Sequence, residues 1–338
     1  MMKKSYYLFN PGRLSRKDNT LFFSATDEQG LPGQAKYLPI EGIENLYIFG
    51  AVDANSALYN FLGKSGVSVH FFDYYEHYTG SFYPKEYLLA GKLQIEQTKA
   101  YLQHSKRLTI ARAFVEGAAF NLLKNLRYYH NRGKDLTAPI TAIEQYILRL
   151  PAAGGVDELM GLEGNCRQIY YDTFALIIAG AEFEFAERVK HPPANEVNAL
   201  ISFGNSLCYT VALDAIYHTQ LNPTISFLHE PGVRRFSLAL DLAEIFKPIL
   251  VDRTIFAVLN RKMLKPDDFD FTLNGCLLKE SGRKVFLRAF EERLHETIKH
   301  RTLNRSVSYK HLVRLECYKL TKYLLGVEDS YKPFKIWW

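Results

Sequence analysis

The spacing of hydrophobic positions changes character once along this chain, near residue 84. Before that point the apolar residues fall in short runs: YYLFN, TLFFSA, AKYLPI, LYIFGA and VSVHFFDYY. These runs are rich in aromatic and β-branched residues and are bounded by Gly, Asn, Asp and Pro, a pattern that predicts strands. One amphipathic stretch, NSALYNFLGKSG, interrupts them and predicts a short helix capped by Asn55 and closed by Gly66. Residues 1–84 therefore predict a compact β-sandwich-like domain, whose edge strands must be blunted or used for pairing. From Lys85 onward the apolar period becomes helical over 86–103, 105–131, 139–148, 157–188, 195–219, 236–262, 283–301 and 308–325. This predicts an all-α domain over residues 85–338 and an α+β, two-domain chain. The second part shows no βαβ alternation, which excludes a doubly wound nucleotide-binding fold there.

Three polar positions on the helical pattern combine ligand chemistry with useful spacing. Glu163 lies in MGLEGNCRQIYY, behind Asp157 and Glu158, whose charges suit the first turn of a helix predicted to run to about Arg188. Asp241 and Glu244 in SLALDLAEIFKP are three residues apart and share one helical face. His229 in SFLHEPG ends an apolar run before Pro231-Gly232, a turn able to aim its imidazole. An imidazole with carboxylates, leaving positions for water and phosphate, suits Mg2+ or Mn2+. Spacing alone leaves open that Glu163 is merely solvated or paired, and that His229 is a packed core histidine. Pro248, four residues past Glu244, removes the amide that the Glu244 carbonyl would use, so the helix bends there or a new one begins. Asp252, eleven residues past Asp241, returns to nearly the same face but about 16 Å along the axis. It is expected to anchor a neighbouring helix, outside any shared metal shell.

Basic residues cluster around these positions in sequence. Arg167 lies one turn past Glu163, Arg188 precedes a Pro-Pro turn with Lys190 and His191, Arg234 and Arg235 follow the histidine loop, and Lys247 follows Glu244. They are candidates to grip a phosphate backbone. The competing reading is solvated helix faces and pairs with Glu182, Glu184 and Glu187. Tyr170, Tyr171 and Tyr209 are either core residues or surfaces on which a splayed base stacks.

Composition narrows the classes further. A formal net charge of +6, from 42 basic and 36 acidic residues, permits a polyanionic partner without arguing for one. The four cysteines form no CxxC pair, which disfavours structural zinc, and a disulfide framework is unneeded at 338 residues. Reduced thiols in a cytoplasmic protein are the expectation. The start MMKKSYYLFNPGR does not read as a signal peptide, and FALIIAGAEF is too short to span a membrane. No GxSxG or local Cys/His pairing offers a protein nucleophile.

Several long blocks closely resemble one known family. LEGNCRQIYYDTF, HPPANEVNALISFGNSLCY, FLHEPGVRRFSLALDLAEIFKPILVDRTIFAVLNRK and YLLGVEDSYKPFKIWW are similar, in this order, to the CRISPR-associated endonuclease family, the integrase subunit of spacer acquisition. The resemblance implies metal ligands at Glu163, His229 and Glu244, with Asp241 as the accompanying acid. It implies transesterification by the 3′-hydroxyl ends of protospacer DNA at a CRISPR repeat, with hydrolysis of branched DNA at the same site. It further implies a homodimer formed through residues 1–84, and a complex of two such dimers bridged by a dimer of the small second adaptation subunit. The rival readings are a stand-alone metal nuclease for branched DNA and a non-catalytic DNA-binding scaffold. Asn205 and Lys247 depart from the commonest form of the family, where an aromatic residue and an arginine stand.

Overall fold

The computed structural model describes residues 3–26, 31–85, 90–178, 182–189, 192–232, 235–272 and 275–337. Its contacts divide the chain into two compact units, Met1–Leu89 and Ala90–Trp338.

The first unit runs β1 (Lys4–Leu8), β2 (Gly12–Lys17), β3 (Thr20–Thr26), β4 (Pro32–Pro39), β5 (Ile43–Ile48), β6 (Val52–Asp53), α1 (Ser56–Ser65), β7 (Ser68–Phe72) and β8 (Tyr78–Phe82). Two four-stranded sheets result, ordered β1-β5-β7-β8 and β4-β3-β2-β6. The second is largely an antiparallel meander, but β1, β5 and β7 pair in parallel, with α1 lying between β5 and β7 in sequence. Leu14, Leu21 and Phe23 from one sheet share a core with Ile43, Leu46, Ile48 and Val69 from the other, and with Leu58 and Leu62 of α1. The α1 boundaries follow from local chemistry. The Asn55 side chain accepts the Leu58 amide at 3.0 Å, and Gly66 closes the helix at φ 71°, where a side chain would be strained. Strands β2 (GRLSRK) and β8 (YTGSF) carry no apolar run, and hydrophobic spacing passes over both.

The second unit is mainly helical: α2 (Gly91–Leu102), α3 (His104–His130), α4 (Thr137–Arg149), α5 (Val156–Asp172), α6 (Phe174–Ile177), α7 (Glu196–Tyr217), α8 (Ser237–Lys247), α9 (Arg253–Asn260), α10 (Glu280–His295) and α11 (Tyr309–Leu324). Two small antiparallel hairpins, β9 (Phe269–Thr272) with β10 (Gly275–Leu278) and β11 (Thr297–Lys299) with β12 (Ser306–Ser308), modify the all-α expectation. The second hairpin ends the helix predicted over 283–301 at His295.

The block predicted as one helix over 157–188 is also broken. It stops at Asp172, where the Thr173 hydroxyl donates to the Tyr170 carbonyl at 2.6 Å, and among the described residues up to 188 only one short helix follows. The stretch predicted over 236–262 is continuous but irregular, because a π turn, Pro248–Asp252, joins α8 to α9. That turn lies against α7 at Gly204, where a Cβ would meet Val251 Cγ1 at 2.4 Å. Among the described residues α7 alone is long and apolar enough to cross a membrane, yet 78% of that window is buried, as in a core helix.

The C-terminal segment is stitched into this unit. Glu316 of α11 is fully buried and accepts from the Tyr331 hydroxyl at 2.5 Å and the Phe334 amide at 3.1 Å. Phe334 stacks on Phe246 of α8 with ring centroids 5.2 Å apart. Trp337 donates its indole N–H to the Lys299 carbonyl at 2.9 Å.

Candidate active site on the helical unit

The site grows from two helices and one loop. Helix α5 presents Glu163 and Arg167 one turn apart, α8 presents Asp241, Glu244 and Lys247, and the chain between α7 and α8 supplies His229. Asp241 has no solvent exposure and both of its oxygens are engaged. Oδ2 accepts the amides of Phe227 at 2.7 Å and Leu228 at 3.0 Å, while Oδ1 accepts the His229 amide at 2.9 Å and lies 2.8 Å from His229 Nδ1. The structure thus gives Asp241 a different task from the catalytic acid suggested beside Glu244. It folds the loop and orients the histidine.

A carboxylate can only accept, so Nδ1 carries the proton and Nε2 is the ring nitrogen left for a ligand. Burial disfavours the imidazolium, but the hydrogen bond and charge of Asp241, with Glu244 beyond, outweigh it and raise the His229 pKa.

Glu163 and Glu244 meet around one guanidinium. Arg167 Nη2 lies 2.5 Å from Glu244 Oε2, its Nε lies 3.4 Å from Glu163 Oε1, and its Nη1 lies 4.0 Å from Asp252 Oδ2. Lys247 pairs with the other Glu244 oxygen. Burial alone would push Glu244 up, but the charges of Lys247 and Arg167 hold it at about 2. Glu163, less well compensated, is raised by burial and then by repulsion from Glu244. The two glutamates form a buried like-charge pair whose balance depends on cations.

Sequence reasoning set Asp252 apart as a helix anchor, and the structure brings it into this cluster through Arg167. Burial raises it to about 7, although Arg167, Lys247 and Tyr170 pull the other way. Tyr170 acts at a distance, since neither Asp252 oxygen has a formed hydrogen bond. On a straight α-helix, eight residues separate Glu244 and Asp252 by about 80° of rotation. A π turn absorbs one extra residue and brings the two to within about 20° of one another. The signal was therefore Pro248, which marks where the helix deviates.

The candidate phosphate contacts divide. Arg167 and Lys247, two of the candidates to grip DNA, pair here with carboxylates inside the cluster. Arg188 is likewise used internally, donating to the Val189 carbonyl at 2.6 Å, Asn198 Oδ1 at 2.8 Å and Ser202 Oγ at 3.0 Å. Arg235 is exposed and donates to the Glu230 carbonyl at 2.6 Å. Arg234, Lys190 and His191 lie outside the described residues. Tyr170 and Tyr171 are buried core residues, and the Tyr209 hydroxyl accepts the Phe236 amide at 3.3 Å.

Comparison with known proteins decides the family. The sequence model of the family described as CRISPR associated protein Cas1 matches residues 6–292. The chain belongs to the Cas1 family. A CRISPR-associated endonuclease Cas1 from Fusobacterium nucleatum is 47% identical over 338 residues, covering 100% of this chain and 98% of its own. Among solved structures, a Cas1 protein from Thermotoga maritima superposes with a TM-score of 0.85 at 37% identity, over 97% of this chain and 98% of that one. A casposase bound to integration product shares the fold, with a TM-score of 0.86 at 20% identity over 99% and 95% of the two chains.

Within this Cas1-family chain the donor types suit a hard divalent cation: two paired carboxylates, and an imidazole oriented by a third. Among the described residues, however, no three His, Cys, Asp or Glu side chains are already grouped as a metal site. Arg167 and Lys247 engage both Glu244 oxygens, so the negative pair is balanced by protein cations.

Proposed function

We propose that this protein is a metal-dependent DNA integrase and endonuclease, joining the 3′-hydroxyl ends of protospacer DNA to a CRISPR repeat by transesterification. The observation that carries the reading is the Glu163 and Glu244 pair beside a histidine whose Nδ1 is held by Asp241. Family membership and the fold shared with a casposase bound to integration product support it. Glu163, His229 and Glu244 would hold Mg2+ or Mn2+. When bound, the ion would withdraw charge from a phosphate oxygen and stabilise the attacking or leaving oxygen.

The chain's own residues supply the rest. Asp241 fixes the tautomer that presents Nε2. Arg167 bridges Glu163 and Glu244 and offsets part of their shared negative charge. Lys247 is a compact ammonium on a flexible stem, so it is the partner that Glu244 exchanges most readily, leaving it free for a phosphate. DNA, a second copy of the chain joined through residues 1–84, and the small second adaptation subunit are the proposed partners.

The test is strand transfer of a duplex with free 3′-hydroxyl ends into a repeat, with and without the second subunit. His229→Ala should abolish joining in Mg2+ and Mn2+ while the helical circular dichroism signal stays. Undiminished joining by that variant would overturn the assignment.

A further inference from the structure

We propose that Asn121, Asn125 and Arg293 are positioning residues, which hold the π turn after α8 and so set the spacing of Glu244 and Asp252 around Arg167. Both asparagines are fully buried and lie one turn apart on α3. Asn121 Nδ2 donates to the Ile245 carbonyl at 2.9 Å, and Asn125 Nδ2 donates to the Pro248 carbonyl at 2.7 Å. Arg293 of α10 donates Nε to the Ile249 carbonyl at 3.0 Å. Three carbonyls within five residues are thus met by side chains of two other helices.

A π turn replaces i→i+4 with i→i+5 pairing, and Pro248 has no amide for the Glu244 carbonyl; the side chains add donors to three other carbonyls around that irregular turn. Loss of those donors removes ties that fix the turn against α3 and α10. A return to ordinary α-helical pairing would rotate everything after the turn by about 100° and carry Asp252 away from Arg167.

Asn121 and Asn125 also tie the turn to its surroundings. Asn121 donates to the Phe334 carbonyl at 3.2 Å and accepts the Ile336 amide at 2.9 Å, while Asn125 donates to the Tyr170 hydroxyl at 2.9 Å. The C-terminal segment, α3 and α5 are joined through these two side chains to the helix that bears Glu244.

The experiment replaces Asn125 with leucine, similar in size but without donors, and uses Arg293→Lys as a milder change should Asn125→Leu fold poorly. Leu312→Ala, a cavity elsewhere in the unit, controls for lost stability. Crystal structures should show residues 248–252 relaxed into α-helical pairing, with Asp252 beyond reach of Arg167. The Mn2+ concentration for half-maximal strand transfer should rise about tenfold, as when a residue supporting a ligand is lost. DNA affinity in chelator should stay within about twofold of the parent. A retained π turn overturns the proposal, as does a lost turn with an unmoved Mn2+ midpoint or an equal shift in Leu312→Ala. The Mn2+ arm rests on the proposed function. Should the parent join no DNA with any divalent ion, that function falls, and the crystal structures alone decide this inference.

Discussion

A carboxylate with 1% exposure, no formed hydrogen bond and one arginine at 4.0 Å is poorly compensated for its burial, and Asp252 is in that position. Its folded pKa of about 7 stands above the ordinary 3.8. The sign follows from linkage: the folded state prefers the protonated acid, so this group's contribution is fully present below the unfolded value. It is lost as pH rises through about 7, and each unit of the shift is worth about 1.4 kcal/mol. Asp252→Asn should therefore gain stability relative to the parent between pH 4.5 and pH 8, measured as the difference in urea midpoints. A gap that stays constant or narrows would place the ionised acid in a better-solvated setting than this one. At the same scale, ligand chemistry made Glu163, His229 and Glu244 legible as candidates. The pairs Glu163–Arg167 and Glu244–Lys247 lie at helical spacing and were within reach of sequence, whereas the bridge from Arg167 to Glu244, 77 residues away, was not.

Secondary structure was readable where a local interaction sets it and unreadable where a tertiary one does. Asn55 and Gly66 fix α1 by themselves. The end of α5 at Asp172 could not be seen in an apolar period that runs on unbroken; just past it Phe174 packs on Phe256 of α9 and on Phe185, contacts that no local pattern announces. Pro248 announced a deviation, but whether it bends, restarts or becomes a π turn is decided by donors on α3 and α10. The same turn yields a prediction about α7. An alanine at Gly204 would place its Cβ 2.4 Å from Val251 Cγ1 and 3.2 Å from Phe286 Cζ, inside contact distance. Gly204→Ala should cost about 1–3 kcal/mol in denaturant unfolding, as overpacked cores do. It should also raise the metal requirement for joining, since Val251 adjoins Asp252. A neutral change in stability would mean that α7 can retreat from the turn.

For the whole molecule, the change of period near residue 84 exposed two regimes, and the resemblance supplied what a net charge of +6 could not. The grip on DNA belongs at this scale, because exposure decides which cations are available. Arg235→Ala should flatten the salt dependence of DNA affinity by about one unit of slope, the loss of one phosphate contact. Arg188→Ala, whose guanidinium is used within the fold, should lower stability and leave the slope alone. Equal slopes for parent and Arg235→Ala would send the DNA path elsewhere.

The C-terminal segment poses the last test of how the helical unit is closed. Glu316 is buried, with one oxygen taking the Tyr331 hydroxyl and the Phe334 amide. Its other oxygen lies 2.5 Å from Lys319 Nζ but off the hydrogen-bonding direction. A buried carboxylate stripped of a donor carries its desolvation cost uncompensated, about 1–3 kcal/mol or more. Tyr331→Phe keeps the ring against Phe114, 5.5 Å between centroids, and removes only the hydroxyl, so its loss reads that one interaction. Adding Glu316→Gln lowers the charge that the hydroxyl satisfied, and the double variant should lose less than the sum of the two single ones. The coupling should fall within about 0.5–3 kcal/mol by denaturant unfolding, the range for residues in one hydrogen-bonded network. Additive losses would show that the segment is held by apolar burial of Tyr331, Phe334 and Ile336 alone, with Glu316 a bystander.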